Sequence, residues 1–545
     1  MRSTQQIETP VLIAGGGPVG LAMAIELGWR GIGCVLVDAG DGELVHPRTG
    51  LIAIRTMEML RRYGLAQRMR ACGFPDDYAL SMVFCTSLNG LLLERAPYPS
   101  MRAAPTPPQT PEKKQRCPQI WMQPILADAV RANPHAQLRL LHRLESFEDT
   151  GADVIAQVSA CATDTRLTIR ARYLIGCDGA GSGVRERLGI ATSGRALGYS
   201  VSILFRAAGL TGRHRMGEAE RYLFVGPEGT WGNVTVIDGD ALWRLTVLGS
   251  EHKLDLASFD ARAWVRRALG TDAAGSAAID FEVLSVAPWR RSEMLAERFS
   301  AGRVMLAGDA CHSMSPTGGM GMNTGMQEVF DLGWKLEAAL AGWAGPHLLP
   351  SYAAERLPVA RRNIGFSTQN YQAWRDTPDA HAVCDDSPVG AAVRALLGAR
   401  LRESTRVEWE STGLQIGYRY DASPICVPDG TPAPADDYSL YQPSTRPGAR
   451  APHAWLADGR STLDLFGRGF VLLQFGGDTA QDAMRDAFAR RGIPLTLQKL
   501  DEPQVAALYE RALVLVRPDG HVAWRGNSLD NPQRIADIVS GAIQA

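Results

Sequence analysis

Val11-Leu12-Ile13-Ala14-Gly15-Gly16-Gly17-Pro18-Val19-Gly20 is the stretch on which the reading of this chain turns. Its four leading apolar residues suit a short, buried parallel strand. A glycine turn follows, and Leu21, Ala24, Ile25 and Gly28 then recur at helical spacing until Gly31-Ile32-Gly33 ends the helix. Cys34-Val35-Leu36-Val37-Asp38 is a second apolar strand, closed by an acid. Together these form one βαβ unit, and Gly15-x-Gly17-x-x-Gly20 stands in it where a dinucleotide fingerprint must stand. Gly15 permits the tight turn, Gly17 lets a pyrophosphate approach the backbone, and Gly20 packs helix on strand. The helix N-terminus, entered at Pro18, offers N–H groups and its dipole to phosphates. Asp38 is placed to accept from ribose hydroxyls.

Outward from this unit the texture changes several times. Residues 101–118 are Pro-rich and polar, which predicts a loop. Between about 195 and 290, residues 222–225, 233–238 and 242–248 read as strands of a mostly antiparallel sheet inserted into the α/β domain. Residues 303–307 return to a buried-strand pattern, and Met326, Val329, Gly333, Leu336 and Leu340 mark one face of a long helix after it. A Pro-rich segment from about residue 415 leads to a separate unit. It reads as strand 470–475, helix 478–491, strand 494–500, a hairpin of 513–517 with 522–525 about a Pro-Asp-Gly turn, and a closing helix 532–543. That is a small α/β domain of thioredoxin-like pattern.

The 545 residues are ample for three or four domains, and 45% hydrophobic with 21% charged residues is ordinary globular composition. Lys+Arg of 57 against Asp+Glu of 58 leaves a net charge of −1, so charge makes no case for nucleic acid or an anionic membrane as main partner. No run of about 18 uncharged apolar residues occurs, so no transmembrane helix is expected. The nine cysteines are odd in number, scattered and never in C-x-x-C pairs, which speaks against a disulfide framework or a zinc site. The expectation is a cytoplasmic protein with reduced thiols and no metal.

Two further segments narrow the nucleotide. Leu174-Ile175-Gly176-Cys177-Asp178-Gly179 continues through Ser182 and Val184-Arg185; Leu306-Ala307-Gly308-Asp309-Ala310-Cys311-His312 continues through Pro316, Gly318, Gly319, Gly321 and Asn323. In order and spacing with the glycine fingerprint, they make the chain resemble the class A (single-component) flavoprotein aromatic hydroxylases of the para-hydroxybenzoate hydroxylase fold family, over roughly residues 8–400. His46-Pro47-Arg48, Arg55-Thr56-Met57-Glu58, Trp231-Gly232, Trp243-Arg244-Leu245 and residues 446–453 resemble the branch of phenol, 2,4-dichlorophenol and aromatic polyketide hydroxylases. The fold so implied is α/β. A Rossmann-type FAD-binding domain (1–75, 116–192 and 288–400) carries an inserted, mostly antiparallel β-sheet substrate domain (76–115 and 193–287), and a thioredoxin-like C-terminal domain with its linker fills 401–545.

The resemblance implies FAD, with NADPH or NADH as transient co-substrate and O2 as oxidant. Gly15, Gly17, Pro18, Gly20 and Asp38 would hold the adenosine end, and Gly308 and Asp309 the ribityl chain. Pro316, Gly319, Gly321, Met322 and Asn323 would form the turn beside the flavin, where close approach needs glycine and a helix N-terminus stabilises negative charge on the reduced ring. Arg48 and Gln123 fall on the phosphate and ribityl regions, with Gln119 competing for the role of Gln123 one helical turn away. Asp178 keeps two readings, a nucleotide contact and a purely structural turn; Gly181 stands where the family usually has an arginine. His312 is expected to be structural, bonding nearby backbone. Met320, Met322 and Met326 are expected as apolar lining, and Trp231, Trp243 and Trp289 as core of the substrate domain.

The implied reaction is hydroxylation of a small aromatic substrate, phenolic or polyketide-like, through a flavin hydroperoxide, with the protein excluding water and orienting the ring. Phenol hydroxylases of the branch carry an acid where this chain has Gly50, so the catalytic base is unassigned. Tyr199, Arg206 and Tyr222 are the candidates to polarise a phenol. A Trp-x-Trp-x-Ile-Pro stretch is missing, which sets a flavin halogenase aside; a Baeyer–Villiger oxygenase or reductase on the same fold, or a non-catalytic flavin-fold binding protein, stays open. Cys426, the last cysteine, precedes the thioredoxin-like unit. Thiol–disulfide exchange is thereby excluded there, leaving packing or support of a homodimer.

Overall fold

The computed structural model describes residues 5–48, 50–163, 165–250, 252, 255–270, 279–476 and 481–545. Gln5–Ala14 is the central strand of the first sheet, with Val11, Leu12 and Ile13 at 0% exposure. It pairs in parallel with Arg166–Gly176 on one side and Cys34–Val37 on the other. Val304–Leu306 and Ala136–Arg139 extend the parallel sheet, and the hairpin of His142–Asp149 and Val154–Ala160 is antiparallel to Arg166–Gly176. A parallel sheet must be covered on both faces. The helices Pro18–Trp29, Gln119–Arg131 and Met320–Ala341 take part in that covering, and the contributions merge into one apolar core. The helix Met320–Ala341 is buried on nearly every side, polar residues included, rather than along the single face its apolar spacing marks.

The second sheet has eight strands, in the order His312–Ser313, Glu282–Ala296, Thr192–Arg206, Leu242–Ser250, Gly229–Val236, Arg221–Gly226, Met82–Cys85 and Leu92–Ala96. All neighbours are antiparallel except Arg221–Gly226 with Met82–Cys85. Those two strands come from separate insertions, and a parallel pair needs such a long connection. Alternation gives the sheet two unlike faces. Val201, Ile203, Tyr222, Phe224, Val234, Trp243 and Leu245 close a hydrophobic core on one side. Ser202, Arg244, Thr246, Asn233 and Thr235 look the other way.

Residues 101–118 are mostly irregular, as their composition predicts, with Gln115–Arg116 as a short strand. The C-terminal unit has the sheet order Leu495–Lys499, Phe470–Gln474, Leu513–Val516, Val522–Gly526, parallel in the first pair and antiparallel in the others. The expected helix 478–491 is Gln481–Arg490, its start lying outside the described residues, and the closing helix stops at Val539. Trp334 and Ala338 of the long helix pack into this unit's core. Arg517 from the hairpin reaches between two helices of the first domain, pairing with Asp331 at 2.9 Å and with Glu355 and Asp519, all fully buried. Among the described residues no helix is long and apolar enough to cross a membrane.

Candidate active site

The glycine fingerprint is closed by backbone contact. Gly15 has φ +108 and donates its N–H to Val37 O at 2.8 Å; a Cβ on it would lie 2.3 Å from Cys177 O. A Cβ on Gly20 would lie 1.9 Å from Gly15 O. At Gly17 the space is open, with nothing within 4 Å of such a Cβ. Gly17 is also the N-cap of Pro18–Trp29, with no side-chain cap and no acid in the first turn. The unsatisfied N–H groups and positive helix end therefore face open space, which suits a pyrophosphate. Asp38 accepts Gly16 N–H at 2.5 Å on one oxygen and Gly40 N–H at 2.7 Å on the other, and each oxygen keeps a lone pair for a ribose hydroxyl. Asp178 accepts from Ser182 Oγ at 2.5 Å and from Val184 N–H at 3.0 Å. Both its oxygens shape the turn into the helix Gly183–Arg187, which is the structural of its two readings.

Arg48 donates its N–H to Gln119 Oε1 at 2.8 Å, and Gln119 Nε2 donates to Gln123 Oε1 at 2.8 Å. Gln119 is buried and Gln123 half-buried, so Gln119 is the link and Gln123 the outer member. Gly308, φ +66, donates its N–H to Glu328 Oε2 at 2.7 Å. Asp309 beside it is exposed, yet the protein packed around it costs its charged form hydration and pushes its carboxyl up, with His312 and Arg48 opposing. His312 Nε2 lies 2.8 Å from Glu328 Oε1, both side chains fully buried. Burial works against protonation of the ring, but Glu328 outweighs it and raises the imidazole. His312 is thus structural, through a carboxylate rather than backbone.

The glycine turn opens the helix Met320–Ala341. Gly318 and Gly319 have φ +91 and +65, and Gly319 caps the helix with no side-chain bond and no acid in the first turn. Pro316 is exposed, and Gly321 and Met322 are half-buried on the open side. Asn323 is fully engaged: it donates to Gly319 O at 2.7 Å and Leu51 O at 3.0 Å, and accepts from Ala53 N–H and Thr56 Oγ1, each at 2.8 Å. Its side chain pins the turn to residues 51–56 rather than facing the open side. Met320 and Met326 are buried in apolar clusters.

Two contacts bring the polar face of the second sheet to this turn, and a third joins it to the segment around Arg48. Arg291 Nη1 donates to Ser315 Oγ at 2.6 Å. Arg221 Nη1 donates to Glu408 Oε1 at 2.7 Å, and the same oxygen takes Gly318 N–H at 3.0 Å. Arg244 Nη1 donates to Pro47 O at 2.8 Å. Among the described residues five cations around them, Lys114, Arg116, Arg221, Arg244 and Arg291, interact with two buried carboxylates, Glu220 and Glu408, and with the exposed Glu410. Burial pushes the guanidinium groups of Arg244 and Arg291 down to about 10. Arg116 is 3.4 Å from Glu220, and a Cβ on Gly50 would lie 2.0 Å from Arg116 Nη1. A guanidinium therefore fills the space beside Gly50.

The proposed phenol-polarising residues lie elsewhere. Alternation turns Tyr222 into the core, where its hydroxyl donates to Gly217 O at 2.6 Å. Arg206 is an exposed strand end, paired with Glu282 at 2.7 Å. Tyr199 is half-buried and alternates onto the side of Val201, away from Ser202. Trp231 and Trp243 are core, as expected, but Trp289 is half-buried on the polar face and donates Nε1–H to Ser202 Oγ at 3.0 Å. Sequence reasoning missed Arg116, Arg291 and Glu408, which come from three distant segments with no motif. Arg244 could have been found from the alternation of residues 242–248.

Family models match residues 8–367 as an FAD binding domain and 444–542 as the C-terminal domain of aromatic-ring hydroxylases. The chain is 31% identical to phenol 2-monooxygenase of Pseudomonas sp. (strain EST1001), over 99% of this chain and 93% of that protein. Among solved structures it is similar to RebC soaked with chromopyrrolic acid and holding 7-carboxy-K252c, at 41% identity, TM-score 0.90, and 98% and 100% coverage of the two chains. It is also similar to aklavinone-11 hydroxylase in complex with FAD and aklavinone, at 29% identity, TM-score 0.80, and 99% and 100% coverage. With both its cofactor domain and its C-terminal domain matched, the chain belongs to the FAD-dependent aromatic-ring hydroxylases and is a monooxygenase that works with FAD, NAD(P)H and O2.

Proposed function

We propose that this monooxygenase acts on an aromatic compound bearing an anionic group, a carboxylate or an ionised acidic phenol. The observation that carries the reading is the excess of buried and half-buried cations on the polar face: among the described residues five interact with three carboxylates, Glu220, Glu408 and the exposed Glu410. Burying a charge without a partner is costly, and an anionic substrate supplies the missing counter-charge. RebC, similar over the whole chain, is known with the carboxylated ligand 7-carboxy-K252c, which supports the same chemistry here.

FAD, when bound, supplies hydride acceptance from NAD(P)H and the activation of O2. The fingerprint glycines and Asp38 fit its adenosine end. Asp309, Gln123 and Arg48 are placed for its middle, and the uncapped start of Met320–Ala341 suits negative charge at its far end. The chain's other residues position the substrate. Arg244 and Arg116 hold its anionic group, Arg116 standing beside Gly50 where related enzymes carry an acid. For an already ionised phenol no base is then needed; a carboxylate serves to anchor and orient the ring. Trp289 and Ser202 offer a ring face and a hydroxyl on the same surface.

The test is substrate-stimulated NAD(P)H oxidation and oxygen incorporation with aromatic acids and their methyl esters. Acids are expected to be preferred. Arg244→Met is expected to lose about 30-fold in kcat/KM on acids, roughly 2 kcal/mol, and little on esters. Equal turnover of acids and esters, together with no preference for phenols ionised at the assay pH over neutral ones, would overturn the reading.

A further inference from the structure

A cavity of about 290 Å3 lies where the first domain meets the C-terminal one. Trp29, Phe330, Arg55, Arg61, Arg62 and Asp464 line it. Trp29 ends the same helix that Gly17 begins, so the cavity stands at the opposite end from the phosphate cradle.

Its three arginines are not equivalent. Arg61 is matched by Asp464 at 2.9 and 3.0 Å and by Glu112 at 3.3 Å. Arg55 pairs with Glu58 at 2.9 Å and also donates to Asp519 O. Among the described residues Arg62 forms no ion pair; its guanidinium sits 4.1 Å from the Phe330 ring centre and 5.6 Å from that of Trp29. Its Nη1 is buried with no hydrogen-bond partner, and so is Nε of Arg55, a residue only 3% exposed. The nearby acids are already engaged, Glu26 by Arg30 and Tyr63, and Glu58 by Arg55 and Arg450. Burial brings the Arg62 guanidinium down to about 10; Glu26 and Tyr63 attract it but do not offset that loss, and Arg30 and Arg55 add repulsion. Aromatic faces compensate a buried cation in part; an oxyanion compensates it fully.

We infer that this cavity is a binding site for a small oxyanion-bearing ligand, a carboxylate or a phosphate, held by Arg62 with Arg55 as second donor. Helices of the first domain and residues of the C-terminal domain both line it, so occupancy fastens the two together and stabilises the folded enzyme.

The experiment titrates the FAD-loaded enzyme with inorganic phosphate and, separately, with citrate, each against sodium chloride at matched ionic strength, following Tm. A saturable rise of about 2 °C with either probe, beyond chloride, is expected. A rise with phosphate alone or citrate alone assigns the ligand's class. In Arg62→Gln the rise is expected to vanish while Tm in chloride holds or increases, because an uncompensated buried cation is gone. Asp464→Asn, which frees Arg61, is expected to tighten binding at least threefold. Arg244→Met keeps the shift, which separates this site from the proposed substrate pocket. No saturable rise with either probe, or an equal rise in Arg62→Gln, overturns the inference.

Discussion

The phosphate cradle at residues 15–20 and the joint that receives Arg517 hold their shape by different means. In the cradle the decisive atoms are backbone, packed so closely that a Cβ on Gly20 would lie 1.9 Å from Gly15 O. In the joint the decisive atoms are charges from residues far apart in the chain, Arg517 against Asp331 and Glu355, and Arg450 against Glu58. A backbone site tolerates changes of pH and charge but no added atom. A site of buried ions tolerates neither a lost partner nor a lost proton. The polar face of the second sheet belongs to the latter kind.

The largest effect expected from this contrast is at Gly20. Gly20→Ala should lower FAD affinity at least 100-fold, about 2.7 kcal/mol, and the protein should purify without flavin colour. Full flavin content would mean that the cradle is not held by backbone contact. Next comes Glu58→Gln, which leaves Arg450 and Arg55 buried without their carboxylate and should cost about 3 kcal/mol of stability, read by chemical denaturation, with FAD affinity at native conditions little changed. A parallel loss of FAD affinity would show that cradle and joint are not independent.

Acid sharpens the contrast more gently. Burial opposes the charge on Glu58, but Arg450 and Arg55 outweigh it and pull the carboxyl down to about 2 from 4.5. Burial brings His453 and His521 down to about 4 from 6.5. All three have depressed folded values, so each contributes stability at high pH that is lost on acidification. The histidines act as pH falls from 6.5 through 4, and Glu58 as it falls from 4.5 through 2. Tm is therefore expected to decline from pH 6.5 downward, and a flat Tm to pH 4.5 would break the assignment. The smallest effect is at the thiols: Cys384→Ser with Cys426→Ser should leave turnover unchanged, since no described part of the C-terminal unit carries a cysteine. A large loss of rate would give that unit a redox task.

Legibility in the sequence follows the same division. The glycine turn is local, so spacing within ten residues reveals it, and the mixed α/β fold follows from strand and helix periodicities. The proposed substrate face is assembled from residues 114, 116, 221, 244, 291 and 408, whose approach depends on the whole tertiary fold. Gly50 shows in the sequence as a missing acid, whereas Arg116, which fills that space, is brought there by the tertiary fold. Tyr222 reads as a phenol on a strand, yet one step of alternation sends it into the core. The helix Met320–Ala341 reads as amphipathic because its buried polar partners are supplied from residues 355 and 517, beyond any local window.

The Arg517 joint also bears on how the chain matures during synthesis. Asp331, Lys335 and Glu355 emerge from the ribosome well before residue 517, so Glu355 first lacks the guanidinium that meets both its oxygens in the finished chain. Until the hairpin arrives, water must hydrate those oxygens in Arg517's place. Burial of the seam between the two helices is thus completed by a residue near the end of the chain, although the glycine turn at residues 15–20 is among the first parts to be made.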